Sequence, residues 1–168
     1  MDFYQTVSSR RSIRKYQDKA IPKAVLTRIA EAVRLSPSGC NRQTYRLLAV
    51  TDRALVRQLG NCCHQNFIGT APVIMALAAE LGKAWQREGD AQSVLRIDLG
   101  IAAEQLMLAA TAEQLGSCCV AWFDPKAADR VLELPENWTT ELLFPLGYPA
   151  EDGRPADRRE LAEFFEIR

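Results

Sequence analysis

The sequence predicts a single domain of the α/β or α+β class, and three observations support this prediction. The chain has 168 residues, the length of one domain rather than two. Apolar residues make up 48% and charged residues 25%, the composition of a chain with a packed core. Segments with strand-like and helix-like spacing alternate along the chain. Periodicity alone does not choose between a parallel and a mixed sheet, so both remain open at this point.

Apolar spacing and helix-ending residues predict the order of the elements. Pro22 suits a first helical turn, and Pro37 cannot continue a helix. Asp52 is placed to cap the helix that follows it, and Gly116 is expected to end the longest helix. The predicted elements are a helical arm at Asp2–Ser8, a helix from Pro22 to Leu35, a strand at Tyr45–Thr51, a helix at Arg53–Leu59, a strand at Val73–Ala79, a helix at Ala91–Leu115, a strand at Ser117–Phe123, a helix at Pro125–Leu132 and a strand at Glu141–Leu146.

Two of these elements carry predictions about burial. The strand at Val73–Ala79 is apolar throughout, which favours burial on both faces. The helix at Ala91–Leu115 has two apolar stripes. One consists of Leu95, Leu99, Ala102, Leu106 and Ala109, and the other of Ile97, Ile101 and Leu108. A helix that is apolar on two sides is buried on two sides, so the second stripe is expected in the core or in a subunit interface.

The net charge of zero hides an asymmetry. Residues 1–60 carry twelve basic and four acidic side chains, whereas residues 61–168 carry nine basic and seventeen acidic ones. Sixteen of the 21 basic residues are arginines, whose planar fork of donors matches phosphate. A nucleic-acid interface is disfavoured, because no aromatic interleaving or recognition helix accompanies the basic third and the acidic remainder would repel a polyanion.

Membrane, secreted and metal-binding classes are also disfavoured. No stretch provides the roughly 20 apolar residues of a membrane-spanning helix, and no signal peptide begins the chain, so a cytoplasmic protein without a membrane partner is expected. The five cysteines, an odd number, do not indicate a disulfide framework. Cys62, Cys63 and His64 are adjacent rather than spaced for chelation, so no metal site is expected. We interpret the cysteines as small buried side chains.

The segment Arg10–Arg14, with the sequence R-R-S-I-R, has the clearest chemical character. In an extended backbone alternate residues point to one side, so Arg10, Ser12 and Arg14 would converge on one small anion. A solvated basic loop is the alternative that these residues alone leave open.

Two further segments are suited to a flat ligand. Ser36–Gln43 and Leu115–Trp122 are rich in small residues, which let a backbone approach a ligand closely, and Asn and Gln add donors and acceptors. In isolation, the favoured explanations of these segments are a helix-ending loop and a core strand. The chain contains no Walker loop, dinucleotide-binding glycine motif, nucleophile elbow or zinc-helix motif.

In their order along the chain, these segments resemble the nitroreductase-type FMN-dependent oxidoreductase family. The resemblance runs from Phe3 to Phe165. It rests on R-R-S-I-R-K-Y at 10–16, S-P-S-G-C-N-R-Q at 36–43, N-F-I-G-T-A-P-V-I at 66–74, D-L-G-I-A-A-E-Q-L-M-L-A-A at 98–110, L-G-S-C-C-V-A-W-F-D at 115–124, L-G-Y-P at 146–149 and Arg158. The resemblance implies a single α+β domain over 1–168, with a mixed central β-sheet flanked by helices. It also implies a homodimer with FMN sites at the interface, each built from both subunits.

The resemblance also implies site residues by position. Arg10, Ser12 and Arg14 would hold the FMN phosphate, with Arg11 toward the ribityl chain or the ring. Arg158, in the polar C-terminal arm at 150–168, would add a second phosphate contact, with Arg159 as the neighbouring alternative. The residues lining the flavin would be Pro37, Ser38, Gly39 and Asn41, on the flavin of the partner, together with Gln65, Cys119, Val120 and Ala121. The Ala121 N–H would lie near flavin N5, and no catalytic side chain is implied.

The implied activity is hydride transfer by a ping-pong mechanism. NAD(P)H would reduce tightly but non-covalently bound FMN, which would then reduce a nitroaromatic, a quinone or a similar electron-poor small molecule. The chain is short for the family and departs from its pattern at two places. Thr44 and Tyr45 stand where many members have Pro and Trp, and Ala121 or Trp122 stands where many have Gly, so Trp122 is expected to crowd the ring face. A non-catalytic sensor or carrier of a flavin or phosphate ligand, with the same fold, is the alternative left open.

Overall fold

Helices cover both faces of one four-stranded sheet in the computed structural model, which describes residues 1–168. The strands are β1 (Tyr45–Val50), β2 (Val73–Glu80), β3 (Gly116–Ser117) and β4 (Trp138–Gly147). The helices are α1 (Phe3–Ser9), α2 (Lys23–Arg34), α3 (Arg53–Asn61), α4 (Leu95–Ala112), α5 (Pro125–Val131) and α6 (Leu161–Phe164). The α+β class is therefore confirmed.

The strands lie in the order β1-β2-β4-β3, and every ladder between them is antiparallel. The one parallel pairing is an isolated bridge between Ser12 and Ser117 at the β3 edge. The resemblance implied a sheet with both parallel and antiparallel pairing. Within one chain, the parallel pairing is confined to the place where the Arg10–Arg14 segment joins the sheet.

β2 forms the centre of the core, and its predicted burial on both faces is confirmed. Residues 73–79 are all buried. Val73, Met75 and Leu77 belong to the cluster that packs with α2 and α4. Ile74 and Ala76 belong to a second cluster with α3 and α5. Because both faces need apolar side chains, the strand is a continuous apolar run rather than an alternating one.

Side-chain caps fix where two of the helices begin. Asp2 and Gln5 form a capping box at α1, with each side chain accepting from the other's backbone N–H at 2.8 and 3.0 Å. The predicted cap of α3 is confirmed, because Asp52 accepts from the N–H groups of Ala54 and Leu55 at 2.9 Å. Each cap satisfies donors that the first helical turn leaves free.

The long helix is shorter than predicted, and Gly116 does not end it. Its start is delayed to Leu95 by a loop in which Gly89 and Ala91 have positive φ values of 100° and 53°. It ends at Ala112, and the left-handed residue after it is Gln114, with φ of 60°. Gly116 instead begins β3, where a Cβ would lie 2.6 Å from Cβ of Ile13. This glycine permits close approach of two segments rather than a helix end.

The strand predicted at 117–123 is also corrected, because β3 ends at Ser117. The register holds, since Ser117 lies opposite Leu146 and Val120 lies opposite Leu143. Val120 and Leu143 exchange both backbone hydrogen bonds, at 2.8 and 3.0 Å. In the same register Cys118, two residues before Val120, lies opposite Pro145. The ladder would need a backbone N–H from residue 145 at this point, and proline has none. The ladder is therefore interrupted opposite Cys118.

The two stripes of α4 have different surroundings. Leu99, Ala102 and Leu106 are buried in the core as expected. Ile97 and Ile101 are 63% and 39% exposed. The second stripe therefore lies outside the core of a single chain, which leaves the subunit interface as the remaining expectation for it.

The cysteines are more accessible than their interpretation as small buried side chains allows. Cys118 is buried and Cys62 and Cys63 are partly buried, but Cys40 and Cys119 are exposed. All five are free thiols, and no group of three or more His, Cys, Asp or Glu side chains is arranged to hold a metal ion. None of the helices is long and apolar enough to cross a bilayer.

Gly116→Ala is expected to lower the free energy of unfolding by about 1–3 kcal/mol, because the new methyl group overlaps Ile13. Urea denaturation measures this change. Shortening the neighbour should relieve the overlap, so the double variant Gly116→Ala/Ile13→Ala should lose less stability than the sum of the two single variants. Additive losses would contradict this contact as the reason for glycine.

Candidate functional site

The segment that follows α1 is held in an extended conformation at the β3 edge. The Ile13 N–H donates to the Ser117 carbonyl at 3.0 Å, and the Gln17 N–H donates to Tyr148 at 2.9 Å. The Ile13 side chain is 6% exposed, whereas Ser12 and Arg14 on either side of it are exposed. The predicted alternation is therefore present, with Ile13 facing inward and its neighbours facing outward.

Outward side chains of this segment line a cavity of about 570 Å³. Five arginines and no carboxylate border it, so its field is strongly positive. The lining residues are Val7, Ser8, Arg10, Arg11, Ser12, Arg14, Arg154, Pro155, Ala156 and Arg158.

Lys15 and Arg159, the cations next in sequence to Arg14 and Arg158, do not line the cavity. Lys15 pairs with Glu151 at 3.8 Å, on the other side of the segment. The guanidinium of Arg159 lies over the ring of Phe164, 5.8 Å from its centroid. Of the two arginines that the sequence left open for the second phosphate contact, Arg158 is the one that the fold brings to Arg10 and Arg14.

Arg154 is a fifth guanidinium that the sequence analysis did not place at the site. The arm reaches the cavity because Gly153 packs against Arg11, so closely that a Cβ on Gly153 would lie 2.3 Å from Cβ of Arg11. Gly153, immediately before Arg154, was the available signal in the sequence, because a glycine permits close approach of two backbones. The arm had been expected to supply only Arg158.

The arginines differ in how free they are to bind an anion. Arg11 donates to the carbonyls of Ser8 and Arg10 at 2.6 and 2.8 Å, so its guanidinium is committed to the backbone. Arg10 has only a long contact of 3.8 Å with the half-exposed Glu104, and such a pair contributes little. Arg14 lies over the ring of Phe67, 5.9 Å from its centroid, where its donors stay available.

Residues 118–121 continue from the bridge at Ser117 and lie beside the arginines. Partial burial of its thiol, together with the nearby Cys118 and Glu104, raises the pKa of Cys119 to about 11, and Arg10 opposes this rise in part. Both thiols are therefore protonated near neutral pH, since burial raises the pKa of Cys118 as well. The Val120 N–H is committed to Leu143, but the N–H of the exposed Ala121 donates no hydrogen bond within the chain. It is free to donate to a ligand.

The loop at 37–41 is anchored at a different place. The Gly39 N–H donates to Oδ1 of Asp98 at 3.0 Å, and Cys40 and Asn41 adopt positive φ values of 50° and 54°. None of residues 37–41 lines the arginine cavity of its own chain. Asp98 is 3% exposed and its second oxygen has no partner. The sequence analysis missed this anchor, although an acid between two apolar residues in the first turn of α4 was the available signal.

Gln65 lies in a third part of the site region. It is exposed, on the loop that leads to Phe67 and hence to the Arg14 guanidinium. Its neighbour His64 is also exposed and stacks on Trp122, with 4.9 Å between ring centroids. The predicted site residues thus fall into an arginine cavity, an adjoining strand end, this loop and a separate 37–41 loop.

Comparisons with known proteins identify the family of the chain. The family model described as "Nitroreductase family" matches residues 7–68 and 61–148, which together cover most of the chain. The chain belongs to the nitroreductase family. An "NADH dehydrogenase" from Thermus thermophilus is 30% identical, over 96% of this chain and 93% of that protein. An "FMN reductase [NAD(P)H]" from Bacillus subtilis is 28% identical, over 92% of this chain and 66% of that protein.

A solved structure matches over the full fold. A nitroreductase family protein from Clostridium difficile superposes with a TM-score of 0.89 at 26% identity, covering 99% of this chain and 98% of that one. This nitroreductase family member is therefore classed as an oxidoreductase with the family's fold.

Asp98→Ala is expected to release the 37–41 loop, because Gly39 loses a hydrogen bond to a buried carboxylate. A charge-assisted bond of this kind contributes about 1.5–3 kcal/mol, so exchange of the Gly39 amide hydrogen should quicken by about tenfold or more. The Asp124 amide, which donates to the Cys62 carbonyl at 2.9 Å outside this loop, serves as the internal control. Unchanged exchange at Gly39 would contradict the anchoring role of Asp98.

Proposed function

We propose that this protein is an FMN-dependent NAD(P)H oxidoreductase that reduces electron-poor aromatic acceptors such as nitroaromatics and quinones. The observation that carries the proposal is the cavity of five arginines and no carboxylate, beside a strand end with a free backbone N–H. The names of the relatives support the same donor and cofactor, since one is called an NADH dehydrogenase and another an FMN reductase.

The cavity fits the phosphate group of FMN. A phosphate monoester carries close to two negative charges at neutral pH and accepts several hydrogen bonds. Arg10, Arg14 and Arg158 offer guanidinium forks, and Ser12 adds a hydroxyl donor. Arg11 holds the backbone of the segment in place, and Arg154 adds positive charge from the arm.

The strand end fits the reactive edge of the isoalloxazine. The parallel bridge between Ser12 and Ser117 sets residues 118–121 next to the phosphate cavity. Cys119 and Val120 would pack against the ring, and the free N–H of Ala121 would donate toward N5, stabilising charge there. Gln65 would face the polar edge of the ring from the neighbouring loop.

None of residues 37–41 lines the arginine cavity of its own chain, so a second copy of the chain is proposed to bring this loop to the site. Ile97, Ile101, Glu104 and Leu108 recur at helical spacing along one face of α4. Asp98, near one end of this face, anchors Gly39, whereas Glu104, six residues on and about 9 Å along the axis, contacts Arg10. Antiparallel packing of two such faces sets the loop of one chain beside the arginines of the other. We therefore propose a homodimer in which Pro37, Ser38, Gly39 and Asn41 line the partner's flavin.

FMN, held by the arginines and by residues 119–121, would supply the redox chemistry, namely hydride acceptance from NAD(P)H and two-electron reduction of the acceptor. A quinone needs two protons in addition to these electrons, one derived from the hydride and one from water. The chain's own residues bind the phosphate, orient the ring and donate at one backbone N–H, and none of them has to act as a side-chain acid or base.

The purified protein is expected to be yellow, with one FMN per chain, and NADH or NADPH should bleach it in the absence of oxygen. Adding a quinone should then restore the colour. Comparing the two nucleotides in the same titration identifies the preferred donor. A protein that cannot be reconstituted with FMN would overturn the proposal, whereas bound FMN that neither nucleotide bleaches would favour the non-catalytic sensor or carrier.

Arg14→Ala is expected to weaken FMN binding by about tenfold or more, because a charge-assisted bond to the phosphate is lost. Lys15→Ala is the matched control and should change the dissociation constant by less than about twofold, since Lys15 makes only an exposed ion pair. Fluorescence of released FMN measures both constants. Equal effects of the two substitutions would contradict the alternation of the segment.

Arg158→Ala and Arg159→Ala form a second matched pair in the arm. Only Arg158 lines the cavity, so only its loss should weaken FMN binding, again by about tenfold. If Arg159→Ala weakened binding as much as Arg158→Ala, the arm would not dock on the cavity as described.

A further inference from the structure

His64 and Trp122 form an exposed aromatic pair that the proposed chemistry leaves without a role. Their ring centroids are 4.9 Å apart and their planes meet at 34°. Trp122 is 64% exposed, and His64, the single histidine of the chain, is exposed as well. The sequence led us to expect that Trp122 crowds the ring face, whereas the structure shows it stacked on a second aromatic side chain.

The backbone holds this pair in place. Cys63 and Phe123 form an antiparallel bridge, and the Asp124 N–H donates to the Cys62 carbonyl at 2.9 Å. Phe123 is 8% exposed and anchors its loop in the second core cluster. His64 follows Cys63 and Trp122 precedes Phe123, so the antiparallel bridge places these two residues opposite each other and brings their rings into contact.

Each residue of the pair is next in sequence to a residue of the proposed flavin site. Trp122 directly follows Ala121, whose N–H is free, and His64 directly precedes Gln65. An acceptor that takes electrons from the ring must approach beside this N–H. It would meet the exposed indole of Trp122, and electron-poor planar rings stack favourably on the electron-rich face of an indole.

We propose that the His64–Trp122 pair is a wall of the acceptor site that selects flat aromatic acceptors over acceptors that cannot stack. This inference rests on the proposed function, because it needs the flavin ring at Ala121. Trp122 supplies the stacking surface, and His64 is a positioning residue that holds the indole at its angle. The pair acts on the acceptor half-reaction and takes no part in binding the phosphate.

The test uses the FMN-loaded protein, reduced anaerobically with dithionite so that NAD(P)H plays no part. Reoxidation is followed with 2-methyl-1,4-naphthoquinone, which is planar and aromatic, and with ferricyanide, which does not stack. Trp122→Ala should slow reoxidation by the quinone by about three- to tenfold and change the ferricyanide rate by less than about twofold. Trp122→Phe should restore most of the quinone rate, and His64→Ala should give a smaller loss in the same direction.

Trp138→Ala is the matched control. Trp138 lies against Arg46 at the start of β4, away from the end where Val120 pairs with Leu143, and its loss should leave the ratio of the two rates unchanged. FMN affinity, measured separately, should be the same for wild type and Trp122→Ala. A quinone rate that does not change, or that falls together with the ferricyanide rate, overturns the proposal and leaves the proposed function standing. A wild-type protein that holds no FMN overturns both, and this is seen before any acceptor is added.

Discussion

The short pairing between Ser12 and Ser117 is the contact on which the rest of the site depends. It joins the arginine segment to the edge of the sheet through the Ile13 N–H and the Ser117 carbonyl, 3.0 Å apart. Gly116 makes the approach possible, since any side chain there would overlap Ile13. With Ile13 buried, its neighbours point outward, and the same contact sets the start of 118–121 beside them. A single backbone attachment thus positions both an anion cavity and the strand end next to it.

The chain closes the cavity from the other side with its C-terminal arm. Residues 148–150 pair with 15–17, and Gly153 then packs on Arg11, so that Arg154 and Arg158 reach the cavity. Five like charges around one space repel each other, and the partners within the chain are weak ones, such as the long contact of Arg10 with Glu104. A dianion relieves this repulsion. We therefore expect the free energy of unfolding to rise when an anion occupies the cavity.

Some of this could be predicted from residue patterns because the physical cause is local. The continuous apolar run of β2, the cap at Asp52 and the alternation around Ile13 follow from burial and hydrogen bonding within a few residues. The corrected features depend on partners distant in sequence. The interruption of β3 requires knowing that Pro145 lies opposite Cys118, and the role of Gly116 requires knowing that Ile13 lies against it. Arg154 and Asp98 escaped prediction for the same reason, since their roles are set by how the arm and the 37–41 loop fold back.

The state of the bound phosphate tests the central claim, that a cavity bordered by five arginines binds a dianion. In the FMN-loaded protein, the ³¹P chemical shift of the phosphate should stay constant between about pH 5 and pH 8. The surrounding positive charge holds the pKa of the phosphate below its ordinary value of about 6, so that no proton is taken up in this range. A phosphorus signal that titrates near pH 6, as in free FMN, would contradict the account.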